Sequence, residues 1–275
     1  MLDILKAIIF GIVEGITEWL PISSTGHLII LEELLKLNQG DDFFEMFQVV
    51  IQLGAILAVV VIYFHKLNPF SPKKTQKQKM MTWQIWIKVI IGCLPAAVVG
   101  LLFDDWIDKT LYHWYVVALM LIVYGILFIV VENYQKGKTP QVTKFSQLTL
   151  PMILIIGVFQ MLAMIPGTSR SGATIVGALM IGVSRSVATE YTFFLAIPVM
   201  FGASLLKLLK FGFDFTAMQV AVLLVGMIVS FAVSIVAIKF LMSYIRKNDF
   251  KVFGYYRIIL GVIIFLFFGI RVLLA

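Results

Sequence analysis

Residues 160–174 read Gln160-Met161-Leu162-Ala163-Met164-Ile165-Pro166-Gly167-Thr168-Ser169-Arg170-Ser171-Gly172-Ala173-Thr174. An arginine, a proline, glycines and hydroxyls here break an apolar stretch that covers 148–183. A spanning helix needs about 20 unbroken apolar residues to cross a hydrocarbon core of ~30 Å. The break therefore predicts two half-length helices around a polar turn, a re-entrant hairpin. Non-helical backbone at membrane depth survives only where protein or a wet cavity surrounds it, so the turn should face a site. Residues 1–35 are interrupted in the same way, by Glu14, Glu18, Pro21 and Ser23-Ser24-Thr25-Gly26-His27.

Between and after these stretches six segments read as full spans, at about 45–65, 83–103, 114–132, 189–207, 217–240 and 253–274. The composition agrees: of 275 residues 61% are hydrophobic and 13% charged, and mean hydropathy is +1.00. A soluble domain carries about 25% charge. The expected fold is thus an all-α integral membrane protein, six transmembrane helices plus two re-entrant hairpins. Cys93 is the one cysteine, so no intrachain disulfide can form. Nor do the first residues, Met1-Leu2-Asp3-Ile4-Leu5-Lys6, look like a removable signal peptide.

Loop charges test the count. If both hairpins return to their own side, the basic loops share one compartment: Lys66, Lys73, Lys74, Lys77 and Lys79, then Lys136, Lys138 and Lys144, then Arg185, then Arg246, Lys247 and Lys251. The opposite loops hold Glu32, Glu33, Asp41, Asp42, Asp104, Asp105 and Asp108. Surplus Lys and Arg collect on cytoplasmic loops, which puts the basic set in the cytoplasm and both termini outside. The net charge of +7 has this explanation, and nucleic acid is not an expected partner. Sliding the chain by 146 residues lays Gly11 on Gly157, Glu14 on Gln160, Ser23 on Ser169 and Gly26 on Gly172. Each half, about 1–132 and 148–275, is then a hairpin followed by three spans. Three is odd, so the halves run in opposite senses, the inverted-repeat plan in which broken helices meet near the midplane. The chain forms a single membrane domain on this reading.

Ionisable groups inside a bilayer are costly and mark function by default. Glu14 and Glu18 are four residues apart on one helix face. Neighbouring carboxylates suit a divalent cation, a shared proton or general acid–base work; acids at an interfacial helix end are the plainer reading. His27 stands three residues from the Ser24 hydroxyl, whereas His65 and His113 sit at span ends and read as interfacial. The second turn offers Gly167, Thr168, Ser169, Arg170, Ser171 and Thr174 at a helix start. Unpaired N–H groups and the positive dipole end favour an anion there, and arginine adds a planar fork for phosphate oxygens. An ion pair from Arg170 to a glutamate of the other half is compatible with the same site.

Two motifs, Glu14-x-x-x-Glu18-x-x-Pro21-x-Ser23-Ser24-Thr25-Gly26-His27 and Pro166-Gly167-x-Ser169-Arg170-Ser171-Gly172-x-Thr174, make the chain resemble the undecaprenyl-diphosphate phosphatases, or bacitracin-resistance proteins, over its whole length. The resemblance implies hydrolysis of a C55 polyprenyl diphosphate to its monophosphate, which renews the carrier for peptidoglycan. Bacitracin resistance is implied too, since that antibiotic sequesters the diphosphate. A bacterial plasma (inner) membrane location follows, with a site reached from the outer, periplasmic face. In chemical terms Arg170 and the second turn would hold the diphosphate. Ser24 would be the nucleophile with His27 as its base, and direct attack by His27 is the rival. Glu14 and Glu18 would hold Mg²⁺ or Ca²⁺, or relay protons. The polyprenyl tail needs only a groove open to lipid. Oligomeric state is left open, a homodimer included. An inverted-repeat transporter or flippase of a lipid phosphate or anion is the alternative. The acid-phosphatase-like lipid phosphatases are excluded, because no arginine precedes a proline and no histidine follows Ser184-Arg185.

Overall fold

The computed structural model describes residues 2–274, except the side chains of Asp104, Asp105, Asp108 and Leu274. Three acids of the loop-charge argument thus lie outside the described residues. The chain runs α1 (Leu2–Thr17), α2 (Ser24–Leu35), α3 (Asp41–Ile62), the single turn α4 (Phe64–Leu67), α5 (Gln76–Leu111), α6 (Trp114–Gln135), α7 (Leu150–Leu162), α8 (Arg170–Met180), α9 (Arg185–Phe211), α10 (Ala217–Tyr244) and α11 (Lys251–Leu274). No β-strand occurs among the described residues, only an isolated bridge between Val142 and Val183. Six helices, α3, α5, α6, α9, α10 and α11, are long and apolar enough to cross a membrane. The chain is an all-α, multi-pass membrane protein.

The spans extend beyond their apolar cores because the flanks are good helix starts. α3 begins at Asp41 rather than near 45, after Gly40 in a left-handed conformation, and Asp41 and Asp42 favour the dipole of its first turn. α5 starts at Gln76 under a capping box from Thr75 and Gln78. At its other end it continues to Leu111, so 104–111 is helix rather than the expected outer loop. No glycine or proline interrupts those residues until the chain turns at Tyr112. By contrast α1, α2, α7 and α8 have 16, 12, 13 and 11 residues. At 1.5 Å per residue each falls short of ~30 Å.

In lipid, apolar area gives little reason for helices to associate; close backbone approach does. α1 packs along α10, and α7 along α5. Glycines permit both contacts: a Cβ on Gly11 would stand 2.7 Å from the Gly226 carbonyl oxygen, and one on Gly157 2.6 Å from that of Gly92. α3 meets α9, and α6 meets α11. Trp19, Phe193 and their neighbours fill the space between the polar turns and the basic-loop end. A separate cluster around Phe10, Phe43 and Phe47 seals the side where α2 and α3 join.

Candidate functional site

The two polar turns have one backbone. Ser23 and Ser169 have φ of 71° and 69°, the non-glycine residues with positive φ among those described. Each is an N-cap whose hydroxyl accepts the N–H three residues on, Gly26 to Ser23 Oγ at 3.3 Å and Gly172 to Ser169 Oγ at 3.1 Å. This conformation costs of order 1–3 kcal/mol at a residue with a Cβ, and such strain persists where the surroundings over-determine it. It sets Ser24 as the first residue of α2 and Arg170 as the first of α8.

Those first residues meet on Glu18. The Ser24 hydroxyl donates to Glu18 Oε2 at 2.9 Å, and Arg170 Nη2 donates to Glu18 Oε1 at 3.1 Å. Ser171 Oγ reaches the Glu18 carbonyl at 3.2 Å. Arg170 Nη1 donates to Thr192 O at 2.8 Å, and its guanidinium lies 5.9 Å from the Trp19 ring centre. Thr174 Oγ1 donates to Arg170 O at 2.8 Å and bonds the Thr192 hydroxyl. Serine, carboxylate and guanidinium therefore form one chain of charge-assisted hydrogen bonds inside the protein, where such bonds are strong.

The other expected residues fall in three places. Glu14 is fully buried one turn before Glu18, and both its carboxylate oxygens lack a hydrogen-bond partner. His27 is not on Ser24: its Nδ1 bonds Ser23 O at 2.7 Å and its Nε2 bonds the Tyr256 hydroxyl at 2.7 Å. The expected serine–imidazole pair is thus absent from this structure, because Ser24 turns to the acid of the preceding helix and His27 turns to α11. Gly167 and Thr168 offer their carbonyls to Arg257, and the Thr168 N–H is taken by Ile165 O. The N–H groups of Arg170 and Ser171, in the first turn of α8, have no partner within the helix.

Arg257 is the residue sequence reading missed. It is fully buried in α11 and donates to Pro21 O at 3.2 Å, Gly167 O at 2.9 Å and Thr168 O at 2.8 Å, tying both turns together. Gly172 makes room for it, since a Cβ there would stand 2.9 Å from Arg257 Nη1. The signal was an arginine six residues into an apolar helix, disguised as a flanking charge by Lys251. Tyr256 was missed with it.

A divalent ion can be tested against this donor set. The orphaned oxygens of Glu14 suit one, whereas both oxygens of Glu18 are taken, by Ser24 and Arg170. Among the described residues no group of three or more His, Cys, Asp or Glu side chains gathers. The protein would therefore supply the Glu14 carboxylate, joined by Glu18 only where its bonds to Ser24 and Arg170 open, and leave the remaining positions to substrate oxygens and water.

Comparison with known proteins decides the family. Residues 7–263 match the bacitracin resistance protein BacA family. The chain belongs to this family. It is 61% identical over 276 residues to the undecaprenyl-diphosphatase of Desulfitobacterium hafniense, covering 100% of this chain and 99% of that protein. It is 62% identical to the undecaprenyl-diphosphatase of Acetivibrio thermocellus, over 98% of both chains. For that of Enterococcus faecalis the identity is 61%, over 94% of this chain and 95% of the relative. Membership covers both polar turns and five of the six long helices in full, and it stops within α11, downstream of Arg257.

Proposed function

We propose that this family member hydrolyses undecaprenyl diphosphate to undecaprenyl phosphate and inorganic phosphate. This recycles the lipid carrier of wall synthesis and confers bacitracin resistance. The observation that carries the reading is the Ser24–Glu18–Arg170 chain, which joins a hydroxyl, a proton acceptor and a phosphate-binding fork across two turns 146 residues apart. Ser24 Oγ attacks the terminal phosphorus while its proton passes to Glu18. The P–O–P bond breaks and undecaprenyl phosphate leaves. Water then cleaves the phosphoserine, giving a proton to the site as the serine leaves, and phosphate departs. A protonated Glu18 no longer neutralises Arg170, so the guanidinium turns its charge to the phosphoryl group when it is needed. The N–H groups of Arg170 and Ser171 add to that stabilisation, and Ser169 and Thr174 hold the turn. Direct attack by His27 is disfavoured because both ring nitrogens are engaged. Glu14, whose oxygens are free, would hold Mg²⁺ or Ca²⁺, which when bound neutralises diphosphate charge; Glu18 would join it only when it is not the proton acceptor.

We further read the chain as an inverted repeat of re-entrant hairpins, halves about 1–132 and 148–275, in the bacterial plasma membrane with the site open to the outer face. The shared positive φ at Ser23 and Ser169 and the matching glycine contacts support the repeat. Phosphate release from undecaprenyl diphosphate by purified protein in detergent tests the activity. Wild type should turn over, and Ser24→Ala should lose at least about 10³-fold. A lipid carrier would release no phosphate. A cysteine replacing Thr75 should label only from the cytoplasm and one replacing Asp105 only from outside; labelling of both from one side rejects the topology.

A further inference from the structure

α1 packs along α10 and α11 along α6, and between the free flanks of α1 and α11 a groove opens. One wall is Val13, Ile16, Leu20 and Ile22; the other is Val252 and Phe253. The cavity is about 440 Å³, within the range of sites that hold small molecules. Its walls are almost wholly apolar. Thr17 is the exception, and its hydroxyl is turned back onto Val13 O at 2.7 Å, leaving no free donor in the groove. The flank faces lipid, since Ile16, Val252 and Tyr256 are 39%, 49% and 43% exposed.

The polar end is what distinguishes this groove from an ordinary crevice between helices. There His27 and Tyr256 meet through the 2.7 Å hydrogen bond, their rings stacked at 5.6 Å. His27 lies one turn along α2 from Ser24, and Val13 and Thr17 lie about 100° around α1 from Glu14 and Glu18. The groove and the carboxylate cluster thus occupy adjoining flanks of one helix. A ligand fitting both has a charged head and a long apolar tail that stays in the bilayer. Branched Val and Ile walls with an aromatic floor suit a methyl-branched chain.

We infer that the α1–α11 groove seats the isoprene units nearest the diphosphate, with His27 and Tyr256 standing where tail meets head. The inference rests on the functional reading above and adds where the tail enters and which residues select it. Most of a C55 chain exceeds the groove and remains in lipid. Selection by the groove therefore appears in KM and acts on the first units only.

Tryptophan placed in the groove tests this. Val13→Trp fills it from α1 and Val252→Trp from α11, so that one variant stands if the other fails to insert. Each should raise KM for undecaprenyl diphosphate by about tenfold or more, with kcat changed less than about threefold. Methyl diphosphate, which has the diphosphate ester head and no isoprene unit to enter the groove, should keep its kcat/KM in both variants. Ile9→Trp, on the lipid-facing stripe of the same helix, should leave both substrates unchanged. A photoreactive p-benzoylphenylalanine at position 16 should crosslink to polyprenyl phosphate. An unchanged KM for the long substrate in an inserted variant overturns the groove, and so does an equal loss on both substrates. Crosslinking only to diacyl lipid, undisplaced by excess polyprenyl diphosphate, overturns it too. A wild type that hydrolyses neither diphosphate rejects the functional reading instead.

Discussion

The turns before α2 and α8 share a backbone and divide the chemistry. Ser23 and Ser169 hold the same left-handed φ and make the same cap. At the next position one turn has the Ser24 hydroxyl and the other the Arg170 guanidinium. Three residues further on the pair is His27 against Ala173, and on the preceding helices it is Glu18 against Met164 and Glu14 against Gln160. The two acids, the Ser24 hydroxyl and the imidazole all belong to the first turn and the helix before it; the cation that meets Glu18 is on the second. What repeats is the device that starts a helix from a strained serine cap, and what differs is what each start presents. A diphosphate needs both, an attacking oxygen from one side and positive charge from the other.

The sharpest way to break this division is Arg170→Lys. Lysine keeps the positive charge that pairs with Glu18 and gives up the bond to Thr192 O, so insertion should stay normal while stability falls by about 1.5 kcal/mol. It cannot hold Glu18, Thr192 O and a phosphoryl oxygen in one plane. A loss of about 3–4 kcal/mol in the transition state corresponds to roughly 10²–10³-fold in kcat. Retention of more than about a third of wild-type turnover would make Arg170 only a partner of Glu18 and move phosphate binding to the N–H groups of α8.

Much of this division was legible in the sequence, because polar punctuation of an apolar run leaves helices too short to cross a bilayer. The six spans, the four short helices and the polar turns followed from length and hydropathy alone. Side-chain pairing was less legible. That Ser24 faces Glu18 rather than His27 depends on how α1 leaves the first turn, through Trp19, Leu20 and Pro21, which sequence spacing does not specify. The role of Arg257 was hidden because a basic residue near a helix start ordinarily snorkels to the interface. Only the carbonyls of Pro21, Gly167 and Thr168, distant in sequence, explain its burial.

Arg257 gives a second contrast, since it is the arginine that holds the turns together and Arg170 the one aimed between them. Arg257→Lys retains charge but cannot reach all three carbonyls. Hydrogen bonds to a charged group contribute about 1.5–3 kcal/mol each, so losing one or two should lower stability by about 2–4 kcal/mol. Thermal unfolding in detergent should report a larger drop in Tm than for Arg170→Lys, which loses one such bond. Equal Tm losses in the two variants would mean that both arginines are structural.

The smallest effect tests the shared backbone itself. At Ser23 and Ser169 two terms oppose each other, a cap worth about 1 kcal/mol and a positive φ that costs about as much or more. Alanine removes the hydroxyl and keeps the strain, so Ser23→Ala and Ser169→Ala should each destabilise by about 1–2 kcal/mol. Glycine removes the hydroxyl and the strain together, and an N-terminal glycine replaces a capping serine at a cost of only a few tenths of a kcal/mol. Ser23→Gly and Ser169→Gly should therefore lie within about 0.5 kcal/mol of wild type, or above it. The alanine cost should be somewhat larger at 169, where the hydroxyl also bonds Ser171 Oγ at 3.1 Å. Parallel behaviour at both positions means the two turns are one device used twice. Glycine as harmful as alanine at either position would show that the hydroxyl, not the left-handed backbone, is what that turn requires.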